Sequence, residues 1–218
     1  MTTARGEKLM KYINTSFTVY LCLPTNPMKT ATIVAFDQFT DVDVFLPWDL
    51  LNRAKRLVPD WQVKLVGTRS THTSVTGIEL AMHGTVEACN AADLVFFASG
   101  PGTRQLIRQP DYLERFHLDP GRQVIGSMCS GALVLAALGL LDGLTATTYP
   151  TSVDQLRGFG VEVVNQPLVI HGNVATAAGC LAALDLVRWM LTRVLHADVA
   201  AEVLTSVQPV GQGLECIY

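Results

Sequence analysis

The stretch "QVIGSMCSGALVLAALGLL" (residues 123–141) decides the fold. An apolar run stops at Met128-Cys129-Ser130-Gly131, and a Leu-rich pattern with helical period begins at once. A buried strand that passes directly into a helix leaves one residue on a sharp turn, a nucleophile elbow. Such a turn lifts the Cys129 side chain above the sheet, near the unpaired N–H groups of a helix start. Two readings follow. Free cysteine is among the most buried residue types, so Cys129 could simply fill the turn. Alternatively, the partial positive charge at the helix start favours thiolate over thiol and makes Cys129 a nucleophile. Ser130 and Gly131 keep the approach open, and the Ser130 N–H could hold an oxyanion.

Outward from the elbow, the chain alternates between two periods. Toward the N-terminus lie strand patterns at 30–37 ("TATIVAFD"), 61–68 ("WQVKLVGT") and 92–100 ("ADLVFFASG"), with a short strand or hairpin at 77–86. Between them, 42–57 is helical with Pro47 in its first turn, and 103–118 is helical with a break at Pro110. The elbow helix closes at Asp142-Gly143. Beyond it, 145–160 predicts a short strand, a turn at Pro150 and a helix, and 161–179 predicts strands with a tight turn at His171-Gly172-Asn173. Helices follow at 180–195 and 197–207. Strands alternating with helices predict a parallel sheet covered on both faces, with ligands at the carboxyl ends of its strands. Both "FASG" (97–100) and "SMCS" (127–130) are strand ends of that kind.

Composition narrows the function. Of 218 residues 49% are hydrophobic and 16% charged, which suits one α/β domain over residues 28–218. A net charge of −3, with no basic run, argues against nucleic acid as a partner. No apolar run is long enough to span a bilayer, so no membrane partner is expected. The five cysteines (Cys22, Cys89, Cys129, Cys180 and Cys216) are widely spaced with no C-x-x-C pair. That predicts neither a disulfide framework nor a metal site, and a reducing cytoplasm. Residues 1–27 hold Lys8, Lys11 and a short apolar patch at Phe17–Leu23, faintly similar to a signal peptide but without its cleavage site. They are expected to be a poorly ordered extension, or a mis-assigned start with Met28 the true beginning.

Two further loops could serve the elbow. In "FASGPGTRQL" (97–106), Ser99 is small, and Gly100 and Gly102 allow a backbone to approach a ligand closely; a flexible turn is the plainer reading. In "FDQFTDVDVFLPWD" (36–49), Asp37, Asp41, Asp43 and Asp49 sit among aromatics. Asp41 fits a helix cap, and Asp43, between Val42 and Val44, is the carboxyl group expected to point inward and share a proton with a thiol. No histidine stands out as a partner: His72 and His117 lie in polar surroundings, His83 in a hairpin, His171 in a turn and His196 at a helix end.

Together these stretches resemble the ThiJ/PfpI superfamily, kin of the class I glutamine amidotransferases, from about Met28 to Val207, and its isonitrile hydratase branch most of all. "SMCSGALVLAALGLLDG" (127–143) is similar to the family's long elbow motif, "FASGPGT" (97–103) to its glycine loop, and "TIVAFDQFTDVDVFLPWDLL" (32–51) to its opening strand and acidic residue. The resemblance implies a three-layer α/β/α sandwich with a flavodoxin-like, mostly parallel sheet. It implies Cys129 as nucleophile, Asp43 as catalytic acid, and Gly100 and Ser130 as oxyanion donors, with Ser99 and Tyr149 beside the substrate. The chain also departs from the pattern: Tyr149-Pro150 stands where many relatives have His-Trp, and "ASG" replaces "PGG".

The expectation is a cysteine-dependent hydratase or hydrolase acting on a small electrophilic carbon, with no cofactor and no metal, working as a homodimer. The alternatives are a redox or small-molecule sensor using the same cysteine, a glyoxalase- or deglycase-like enzyme, or an inactive member of the family.

Overall fold

The computed structural model describes residues 28–215. The N-terminal extension at 1–27, with Cys22, and the terminal Cys216 lie outside the described residues. The strands are β1 (Thr30–Val34), β2 (Gln62–Gly67), β3 (Thr71–Thr73), β4 (Glu79–Ala81), β5 (Gly84–Thr85), β6 (Leu94–Phe97), β7 (Val124–Met128), β8 (Thr145–Ala146), β9 (Glu162–Val163), β10 (Leu168–His171) and β11 (Val174–Ala177). The helices are α1 (Asp41–Arg53), α2 (Thr103–Leu106), α3 (Pro110–Leu113), α4 (Ala132–Ala137), α5 (Val153–Arg157), α6 (Ala183–Val194) and α7 (Ala197–Thr205).

Seven strands form one sheet in the order β10-β11-β7-β6-β1-β2-β5. Only the β10–β11 pair, joined by the predicted turn at Gly172-Asn173, is antiparallel. The long parallel strands β2-β1-β6-β7-β11 follow the flavodoxin-like order, in which the chain reverses direction beside the first strand. The expected three-layer sandwich is therefore observed.

Both faces of the sheet are apolar, which explains the unbroken strand runs in the sequence. In β6, Leu94 and Phe96 face one core with Ile33, Leu50 and Met190; Val95 and Phe97 face the other with Val34, Leu133 and Phe116. α1, α6 and α7 cover the first face, and α4 with α2 and α5 covers the second. Fully burying a side chain such as Phe97 or Leu133 contributes about 1.5–3 kcal/mol, so the strand ends rest on a stiff platform.

Some local expectations need correction. α1 starts at Asp41, so Pro47 is its seventh residue and falls in the second turn rather than the first. Without an N–H, Pro47 leaves the Asp43 carbonyl without its intrahelical donor. The cap position belongs to Thr40; Asp41 is the first helical residue and accepts a 2.9 Å hydrogen bond from Thr76 Oγ1. α4 stops at Ala137, because Gly139 takes up a left-handed conformation (φ 73°) before Asp142-Gly143 is reached. The 77–86 segment divides between β4, paired antiparallel with β3, and β5, at the edge of the main sheet. His72 has the polar surroundings expected but is also buried, 2% exposed, its Nε2 accepting from the Thr68 and Arg69 N–H groups and its Nδ1 3.2 Å from Asp37.

Candidate active site

Four chain segments leave the carboxyl ends of β1, β6, β7 and β11 and meet over the sheet. The β7 segment carries Cys129, the first residue of a 3-10 turn leading into α4. Its φ of +46° is rare for a residue with a side chain, and a left-handed residue at a strand end turns the chain sharply. Thr148 Oγ1 holds the turn by donating to the Cys129 carbonyl at 2.9 Å. Gly131 does more than keep the approach open: a Cβ there would lie 2.7 Å from the carbonyl oxygens of Phe97 and Ala98. Only glycine lets α4 start this close to the end of β6.

From the β1 side, α1 brings in Asp43, wholly buried as expected. Its Oδ2 accepts a hydrogen bond from the Ser99 hydroxyl, and its Oδ1 has no hydrogen-bond partner. Ser99, expected beside the substrate, therefore holds the carboxyl group in place. The loop before α1 is clamped to the β6 loop, with the Thr40 N–H donating to the Ser99 carbonyl at 2.8 Å. Gly100 (φ +151°) makes this approach possible, since a Cβ there would lie 2.1 Å from the Gln38 carbonyl oxygen.

The Gly100 N–H is not free for an oxyanion as expected. It donates to Ser130 Oγ at 3.1 Å, and the same hydroxyl donates back to the Gly100 carbonyl at 3.1 Å. Tyr149 stands at the rim, 46% exposed and lining the cavity. Arg104 also lines it, its Nη2 bonded to Thr151 and Ser152 across the opening. No histidine lines this cavity among the described residues.

The residue the sequence reading missed is Cys180, on the turn after β11. The Asp43 carboxylate, Cys129 Sγ and Cys180 Sγ all lie within 4.8 Å of one another. Two thiols and a carboxylate are a donor set that could share protons or hold a thiophilic cation. The available signal was the pattern around "TAAGC" (176–180), a second strand end followed by glycine and a helix.

Electrostatics at Cys129 differ from the sequence expectation. Burial, with Cys129 only 3% exposed, is the largest effect and pushes its thiol well above the ordinary cysteine value. The negative charge of Asp43 adds to this, and a backbone hydrogen bond from Gly179 opposes it. The helix-start effect is outweighed, so the resting group is the thiol. Cys180 is likewise pushed up to about 11, by burial first and then by Asp43. The cavity above these groups is about 280 Å³, at the small end of ligand pockets.

Comparison with known proteins agrees with this architecture. Residues 29–193 match the DJ-1/PfpI family. The chain belongs to that family. It is 31% identical over 167 residues to an isonitrile hydratase of Pseudomonas putida, covering 76% of this chain and 72% of that protein. Over 158 residues it is 25% identical to a deglycase of Pyrococcus abyssi, covering 72% of this chain and 93% of that protein. Among solved structures, a ThiJ/PfpI family protein from Pseudomonas syringae superposes with a TM-score of 0.73 at 24% identity, over 84% of this chain and 76% of that one. This DJ-1/PfpI chain thus shares a fold with proteins whose named activities differ. No helix among its described residues is long and apolar enough to cross a membrane.

Proposed function

We propose that this chain is a cysteine-dependent hydratase acting on a small electrophilic carbon, with an isocyanide as the leading substrate class. The observation that carries the reading is the Asp43 carboxyl group set within 4.8 Å of the Cys129 sulfur, beneath a cavity of about 280 Å³. Since burial holds the proton on sulfur, the proton leaves as the bond to carbon forms. The Cys129 sulfur attacks the terminal isocyanide carbon while its proton passes to Asp43 and on to that carbon. Water then adds to the thioimidate, the carbon–sulfur bond breaks, and a formamide leaves with the thiol restored. Ser99 fixes one carboxyl oxygen of Asp43 and leaves the other without a hydrogen-bond partner. The N–H groups of Ser130 and Gly131, in the first turn before α4, stabilise negative charge. Gly100 contributes by holding the Ser130 hydroxyl. A small-molecule substrate and a homodimeric state belong to the same reading.

The test is turnover of aliphatic isocyanides by the purified chain, with amides and α-oxoaldehydes assayed in parallel and Cys129→Ala as control. Formamide production by the native chain alone is expected. Full turnover by Cys129→Ala, or preference for an α-oxoaldehyde, overturns the proposal.

A further inference from the structure

We propose that Cys129 and Cys180 form a reversible disulfide inside this cavity, with Cys180 as the resolving thiol. The cysteines are far apart in sequence, yet β7 and β11 are adjacent parallel strands with Met128 and Ala177 opposite one another. Each cysteine sits on the short turn that follows its strand, Cys129–Gly131 and Cys180–Ala182. Their sulfurs must close from within 4.8 Å to about 2 Å. Cys129 is fixed, its carbonyl held by Thr148. Cys180 follows Gly179 (φ +85°) and is only half-buried, so it is the partner able to move.

The chemistry needs a hydroperoxide as oxidant. The Cys129 sulfur attacks the distal oxygen; a sulfur–oxygen bond forms, the oxygen–oxygen bond breaks, and the alkoxide leaves with the thiol proton as an alcohol. The Cys180 sulfur then attacks the Cys129 sulfenic acid; the sulfur–sulfur bond forms, and hydroxide leaves as water with the Cys180 proton, carried by Asp43. In total, two thiols and one hydroperoxide give a disulfide, an alcohol and water, and a dithiol reductant reverses the change.

Proximity decides between this product and further oxidation of Cys129: the Cys180 sulfur already lies within 4.8 Å of the sulfur it must attack, whereas a second hydroperoxide has to enter the cavity. Cys89 is an internal control: it is fully buried, its sulfur accepts from the Thr32 hydroxyl, and burial pushes its thiol up to about 12.

The test treats the full chain with hydrogen peroxide in the presence of a chelator, blocks free thiols and digests with trypsin without reduction. Arg122, Arg157 and Arg188 place the two cysteines in separate peptides, 123–157 and 158–188. The expected product joins these peptides with the loss of two hydrogens, and dithiothreitol separates them. In Cys180→Ser, peroxide instead leaves two added oxygens on Cys129 that dithiothreitol does not remove. The proposal is overturned if the native chain gives that doubly oxidised Cys129 with Cys180 still free. A join to Cys22, Cys89 or Cys216 overturns it too. The measurement reads masses, not turnover, so its failure is distinct from failure of the hydratase reading.

Discussion

Replacing Asp43 with asparagine separates the two effects assigned to that carboxylate. The amide side chain keeps the shape and can still accept the Ser99 hydroxyl, but it carries no charge and cannot take a proton. A unit charge within 4.8 Å of the Cys129 sulfur opposes thiolate formation by about 3.5 kcal/mol at an effective dielectric near 20. Removing it raises the thiolate fraction at fixed pH by roughly 300-fold. A less basic thiolate is a weaker nucleophile, and a coefficient of about 0.45, as in thiol–disulfide exchange, leaves a net gain of roughly twentyfold in reaction rate. The assay is timed iodoacetamide labelling of the Cys129 peptide, 123–157, at constant pH. Isocyanide turnover should move the opposite way, falling by about 10²–10⁴-fold as the proton relay is lost. If labelling of Asp43→Asn is no faster than that of the native chain, Asp43 does not hold the thiol proton and the reasoning fails.

Two further outcomes follow from the same structure. Gly131→Ala should lower the stability measured by urea unfolding by about 1–3 kcal/mol, because its methyl meets two carbonyl oxygens at 2.7 Å; an unchanged midpoint would show that the elbow can relax. Burial, partly opposed by Asp37, holds the His72 imidazole below its ordinary 6.5. As pH falls through 6.5 the unfolded chain takes up this proton first, so unfolding free energy should decline from that pH downward. His72→Gln should flatten that slope, and an identical slope in both proteins would assign it to another group.

What the sequence made legible was local. The step from strand period to helix period at Met128-Cys129 identified the elbow, and Val42 and Val44 around Asp43 marked the carboxyl group that turns inward. The missing information was tertiary. Nothing near Cys180 says that its strand lies beside β7, so three acidic groups in one cluster appeared only with the sheet order. The Gly100 amide reads as a free donor until the Ser130 hydroxyl is placed against it. The thiol went the other way from its local expectation because a helix start acts over one turn, whereas burial and Asp43 act through the folded pocket.

The place of β11 in the chain has a consequence for the protein as it is made. It is the last parallel strand to leave the ribosome, and it carries Cys180 and the Gly179 amide to the site. At translation rates of about 5–20 residues per second, the roughly fifty residues that separate Cys180 from Cys129 take about 3–10 s to synthesise. Until β11 docks, that edge of β7 is open and Cys129 has neither the Gly179 amide nor the Cys180 sulfur beside it. Completion of the sheet is therefore also the step that assembles the three-group cluster around Cys129.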